Sequence, residues 1–286
     1  MTNMHTISVP SDGTSAQGLF YQVHGPTLQS ANDTVGSSLP ALVLIHGLFG
    51  NSDNLSVIRR AFEHERIVIS IDLPNHGKSL RTELFSFDDC ASHITQLLRE
   101  LAAPLQIASY VLVGHSLGGK VSMLVAKHAA ELISKLVIMD IAPIEYSARH
   151  HNVFNGLNNV DLSLISSRSE AKTQLAEYVQ DPGTQAFLLK SLFQDANGQW
   201  QWRFNLPLIV RDYALLSAWP LTGLCYAGPT LFIKGAESDY ILPKHQATIV
   251  EQFPNASAKI VQAGHWLHAQ KPQVVNALIT KFLRGE

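Results

Sequence analysis

The sequence has little of what marks several whole classes of protein. It holds two cysteines, Cys90 and Cys225, in 286 residues. Two are too few for a disulfide framework, and reduced thiols are the expectation. Charge is sparse and balanced, with 21 Lys and Arg against 23 Asp and Glu and a formal net charge of -2. Neither nucleic acid nor an anionic membrane surface is an expected partner. No apolar run is long enough for a membrane span, so no stable membrane insertion is expected. The opening MTNMHTISVP has neither a basic start nor an apolar stretch, which argues against a secretory signal. A soluble, cytoplasmic protein is the expectation. No internal repeat is visible.

What is present is ordinary globular composition, 46% hydrophobic, in a chain long enough for one large domain with a sizeable core. Residues 25–40 are rich in Gly, Ser, Pro and Asn and predict a long surface loop. LFYQVH (19–24) predicts a strand. Short, continuous apolar runs then alternate with helical spacing. ALVLIHG (41–47), RIVISIDL (66–73), YVLVGHS (110–116) and KLVIMDIAP (135–143) predict strands buried on both faces. Helices are predicted near 54–63, 88–104 and 118–132. The pattern resumes with a strand at 229–235, a helix at 244–253, a strand at 258–264 and a last helix from Pro272. Such alternation predicts an α/β fold, a mostly parallel sheet flanked by helices.

The alternation breaks between residues 144 and 222. Helical runs such as SEAKTQLAEYVQ and TQAFLLKSLFQ occur there, and Asn197-Gly198 predicts a tight turn or hairpin. The expected organisation is a core of residues 1–143 and 223–286 carrying an inserted, mainly helical cap, 144–222. Of its apolar residues, Phe154, Phe187, Leu188, Leu192, Phe193, Trp200, Trp202, Phe204, Tyr213 and Trp219, most are expected to pack the cap and the remainder to line an apolar pocket.

The chemistry centres on VGHSLGGK (113–120). Ser116 ends a buried strand and opens a helix, with Gly114 and Gly118 two residues to either side. This is the nucleophile-elbow pattern. A hydroxyl there needs a base. Among the 13 histidines, His265 is favoured because it follows the last strand directly, at the end of the sheet where the loops converge on Ser116; His268 is its rival. The base needs a carboxylate to fix its tautomer. Asp140 and Asp239 both lie at strand ends between Ser116 and His265, with Glu237 a weaker third, and position along the chain does not separate the first two. The HGLFGN segment (46–51) predicts an oxyanion hole made by the backbone N–H groups of Leu48 and Leu117. Phe49 and His115, beside these positions, are expected substrate contacts. No histidine pair has metal-ligand spacing with carboxylates, and the chemistry calls for no metal or cofactor.

With LVLIHGLFGN, IDLPNHGKS, VGHSLGGKV and AGHWLHAQKP in this order, the chain resembles the α/β-hydrolase family over nearly its full length. DIAP, FLLKS and WRFN make it similar to small bacterial esterases of the YbfF type and to mitochondrial relatives in that subgroup. The resemblance implies a serine hydrolase of carboxylic esters or acyl thioesters, with acyl-CoA among the candidate substrates. It also implies that the triad acid follows the strand after the nucleophile helix, which selects Asp140, with Asp239 as the alternative. A carbon–carbon hydrolase or lyase on the same fold, or a non-catalytic binding protein, is the competing reading.

Overall fold

The computed structural model describes residues 12–26 and 39–286. Most of the loop expected at 25–40 lies outside the described residues. Two short strands, β1 (Asp12–Thr14) and β2 (Phe20–His24), precede β3 (Ala41–Ile45). A 3-10 turn, Ser52–Leu55, leads into α1 (Ser56–Phe62). Then come β4 (Val68–Ile71), α2 (Phe87–Ala102), β5 (Tyr110–His115), α3 (Leu117–His128) and β6 (Ile133–Met139). After β6 follow α4 (His151–Asn159), α5 (Arg168–Ala176), α6 (Pro182–Lys190), β7 (Leu192–Gln194), β8 (Trp200–Trp202), α7 (Leu206–Arg211) and α8 (Tyr213–Ser217). The chain closes with β9 (Thr230–Gly235), α9 (Gln246–Gln252), β10 (Ala256–Val261), α10 (Leu267–Gln270) and α11 (Pro272–Arg284).

Eight strands form one sheet in the order β1-β2-β4-β3-β5-β6-β9-β10. β1–β2 and β2–β4 pair antiparallel, and every other neighbour is parallel. The alternation of side chains divides the interior in two. Val43, Ile45, Ile69, Ile71, Leu112 and Ile138 join the cluster on one face. Leu42, Leu44, Val68, Val111, Val113 and Val137 join the cluster on the other. Both faces are covered, which is why β3, β4 and β5 read as unbroken apolar runs.

From β3 the chain steps out to β4, then crosses back over β3 to β5. The strand order reverses there, and loops leaving β3 and β5 open a crevice at their carboxyl ends. Residues between β6 and β9 add no strand to this sheet. They contribute helices and the antiparallel hairpin β7–β8, in which Leu192 pairs with Trp202, as the Asn-Gly turn predicts. Their buried side chains, Phe154, Leu157, Leu175 and Trp202 among them, are continuous with the first core cluster.

Several boundaries fall short of the apolar runs. The run at 135–143 ends as strand at Met139 because Asp140 takes a left-handed backbone (φ 52) and turns the chain. β10 is an edge strand, largely exposed and starting earlier than the apolar pattern indicates.

Candidate active site

Ser116 leaves β5 with φ 52 and ψ −120, a left-handed conformation that an L-residue holds only where its surroundings enforce it. Its N–H donates to the Met139 carbonyl at 3.0 Å, and its own carbonyl accepts from Gly119 and Lys120 at 2.8 and 3.1 Å. The turn is thus tied to β6 on one side and starts α3 on the other. The flanking glycines are required by close approach. A Cβ on Gly114 would stand 2.4 Å from the Gly118 carbonyl oxygen, and one on Gly118 would stand 2.3 Å from the Ile45 carbonyl oxygen. Backbone meets backbone here, so neither clash can be relieved by a rotamer change.

The loop after β3 faces this turn. Phe49 has φ 64, and its N–H donates to His76 Nε2 at 3.2 Å. Gly50 N–H donates to the Gly47 carbonyl at 3.0 Å. Leu48 N–H, between them, has no partner among the described residues. A second buried imidazole supports the same loop. His46 Nε2 accepts from Leu73 N–H at 3.0 Å, and its Nδ1 lies 2.7 Å from the Gly47 carbonyl. The Nδ1 of His76 lies 3.0 Å from the Pro74 carbonyl. Each ring therefore accepts at Nε2 and donates from Nδ1, which fixes the neutral tautomer. Burial pushes the two down to about 4 and about 3.

His265 sits between β10 and α10. Its Nδ1 is 2.8 Å from Asp140 Oδ2. Asp140 is fully buried. Its Oδ1 accepts from Gly235 N–H at 2.9 Å, and its Oδ2 also accepts from the Ser238 hydroxyl. The Tyr240 ring stacks on the imidazole, 4.0 Å between centroids at 20°. Asp239 points elsewhere, donating nothing to this cluster and accepting instead from Arg149 Nη1 at 2.9 Å. Glu237 is exposed. His268 is buried, its ring packed on His115 and pushed by burial down to about 3.

Ser116, His265, Leu48, Leu117 and Phe49 all line one cavity of about 250 Å³. Val153, Phe187, Leu188, Tyr213 and Leu216, from the stretch between β6 and β9, line the same cavity. Phe154, Trp200, Trp202, Phe204 and Trp219 pack elsewhere in the first core cluster. The structure corrects one expected substrate contact. His115 is buried and lines no part of the cavity; its Nε2 lies 2.9 Å from the His265 carbonyl. It shares the β5 face of Val111 and Val113, so alternation carries its ring beneath the sheet end.

The sequence reading passed over Lys120, Tyr240, His76 and Ser238. Lys120 is buried against the cavity, and its Nζ donates to the Ser217 and Ala218 carbonyls at 2.9 and 2.7 Å. Burial holds its pKa down at about 7. A lysine four residues past Ser116 is unusual enough in an apolar helix to have been a signal. Ser238 and Tyr240 flank Asp239, and only the fold shows that Ser238 reaches Asp140 and Tyr240 reaches His265 while the aspartate turns to Arg149. Among the described residues no three His, Cys, Asp or Glu side chains are grouped so as to hold a metal ion.

Residues 42–278 match the sequence profile of the alpha/beta hydrolase family. The chain belongs to that family. Two α/β-hydrolase relatives are similar over most of their length. A Haemophilus influenzae protein provisionally named an esterase/lipase is 39% identical, covering 85% of this chain and 83% of that one. Escherichia coli esterase YbfF is 35% identical, covering 85% and 92%. Among solved structures, a marine microorganism esterase superposes with a TM-score of 0.82 at 30% identity, covering 93% of this chain and all of that one. The eight-stranded, mostly parallel sheet is the fold these α/β hydrolases share.

Proposed function

We propose that this α/β hydrolase cleaves carboxylic esters or acyl thioesters through Ser116, His265 and Asp140, by way of an acyl-enzyme. The observation that carries the reading is the His265–Asp140 contact at 2.8 Å, on an imidazole that shares the cavity with Ser116. Asp140 holds the proton of His265 on Nδ1, which leaves Nε2 to accept the Ser116 proton. The Ser116 Oγ attacks the acyl carbon, and the carbonyl electron pair moves onto oxygen. The N–H groups of Leu48 and Leu117 receive that oxyanion, the second strengthened by its place at the start of α3. His265 passes its proton to the leaving alkoxide or thiolate. Water then gives a proton to His265 and attacks the acyl carbon; His265 returns that proton to the departing Ser116 Oγ, and the acid is released.

The inserted segment, residues 144–222, acts as a cap whose Phe187, Leu188 and Leu216 receive the acyl group. The esterase names of the relatives support the choice of bond. Incubating the chain with a fluorophosphonate probe and with esters and acyl-CoA thioesters of graded length tests the proposal. Labelling at Ser116 and hydrolysis abolished by Ser116→Ala are expected. Undiminished hydrolysis by that variant would overturn it.

A further inference from the structure

A second cleft, of about 580 Å³, lies between the core and the inserted segment and shares no residue with the catalytic cavity. Four cations line it: Lys78 from the core, and Arg168, Lys190 and Arg203 from the insertion. None of the four forms an ion pair among the described residues. Outside the cleft, Arg59, Arg66, Arg99, Arg149 and Arg211 each pair with a carboxylate, and other cations such as Lys234 and Lys244 form no ion pair among the described residues. Three of the cleft cations rest instead on aromatic faces. Lys78 Nζ lies 4.5 Å from the Phe20 ring centroid, and the guanidinium carbons of Arg168 and Arg203 lie 5.8 and 4.4 Å from those of Trp200 and Phe193. An aromatic face fixes a cation without neutralising it. Arg168 is further held by a 2.6 Å bond from its Nη2 to the Leu192 carbonyl.

Two carboxylates share the cleft, Asp53 and Asp72. Asp72 is buried, and its oxygens accept from Ser52 N–H at 2.6 Å and Lys78 N–H at 2.8 Å. These backbone donors hold its carboxylate in place. Four cations against Asp53 and Asp72 leave a local positive excess in a chain of net charge -2. Such an excess repels itself unless an anion answers it. Guanidinium and ammonium groups converging on one concavity match the oxygens of a phosphoryl group.

We propose that this cleft binds a soluble phosphorylated small molecule, one bearing a diphosphate or two phosphoryl groups. The site does not depend on the ester reading. It does touch the same machinery, because Asn51–Asn54 continue the loop that carries Leu48, and Ser191, next to Lys190, donates through its hydroxyl to the Phe49 carbonyl at 2.7 Å.

Calorimetric titration of the full chain with inorganic pyrophosphate tests the proposal. Saturable one-site binding is expected, weakening with added salt and falling at least about tenfold in Lys190→Gln/Arg203→Gln, consistent with the loss of charge-assisted bonds. A Lys259→Gln/Lys281→Gln control removes the same charge from exposed sites outside the cleft and should bind as the parent does. Hydrolysis of a neutral ester should be unchanged in both variants. Absence of binding at millimolar pyrophosphate, or an equal loss in the two variants, would overturn the site. Co-sedimentation with phosphatidate vesicles without pyrophosphate binding would overturn the soluble ligand in favour of a lipid headgroup.

Discussion

The Asp239 carboxylate lies 2.9 Å from the Arg149 guanidinium and is 74% exposed. The Arg149 guanidinium stacks in turn on the Tyr146 and Tyr240 rings, 5.0 and 4.5 Å from their centroids. Asp239 is thereby occupied on the outer side of Tyr240, while Tyr240 stacks on the imidazole that Asp140 holds. Parallel kinetics on two variants exploit this division. Asp140→Asn should lower kcat/KM for an activated ester by about 10³- to 10⁴-fold, the scale on which a wrong tautomer acts. Asp239→Asn should stay within about threefold, since an exposed pair contributes little. The reverse ranking would assign the acid to Asp239.

Gly118→Ala should be far costlier than its size suggests. The new methyl would meet the Ile45 and His46 carbonyl oxygens at 2.3 and 2.4 Å, so α3 must move off β3. A loss of about 3 kcal/mol or more in denaturant unfolding is expected. Gly198→Ala, at a hairpin with nothing within 4 Å of the added atom, should cost only about 1 kcal/mol, from its positive φ.

Much of this was legible before the fold. Central strands buried on both faces leave continuous apolar runs, and Ser116, His265, Leu48 and Leu117 lie where strand ends meet loops. The choice between Asp140 and Asp239 was different. Both follow strands, and it is the fold that puts Asp140 2.8 Å from His265 and pairs Asp239 with Arg149. His115 was misjudged as a substrate contact because adjacency in sequence to Ser116 places its side chain on the opposite face of the sheet. Lys120 and Tyr240 were missed because their partners, Ser217, Ala218 and His265, are distant in sequence.

In the proposed mechanism His76 positions the loop that carries Leu48, because its Nε2 accepts from Phe49 N–H. His76→Leu removes the acceptor of Phe49 N–H and leaves a buried donor unmet, a cost of about 1–3 kcal/mol. The expected signature is a kcat lowered about tenfold or more with KM little changed, because a displaced Leu48 N–H is felt mainly in the transition state. His76→Gln, which keeps an acceptor, should recover most of the loss. Equal kcat in His76→Leu and the parent would exclude the role.

Stability should fall on acidification in a defined window. His46, His76 and His268 are held neutral by burial, at about 4, 3 and 3, against about 6.5 in the unfolded chain. Between those limits the unfolded state binds protons that the folded state refuses. The stabilisation is complete above about pH 6.5 and is lost as pH falls toward 4, at about 1.4 kcal/mol per pH unit for each histidine. Urea unfolding at pH 7, 6 and 5 should show midpoints dropping with growing steepness. A flat midpoint across that range would mean that these imidazoles are charged in the fold.

The close approach of Gly114 and Gly118 to neighbouring backbone bears on how this enzyme could be changed. The Ser116 turn, the end of β3 and the start of α3 are locked together at main-chain level, so the half of the site proposed to break the bond tolerates almost no variation that leaves the chain folded. Val153, Phe187, Leu188 and Leu216 line the cavity away from that turn. Libraries aimed at new acyl groups belong at those four positions, where selectivity can drift while the reaction stays the same.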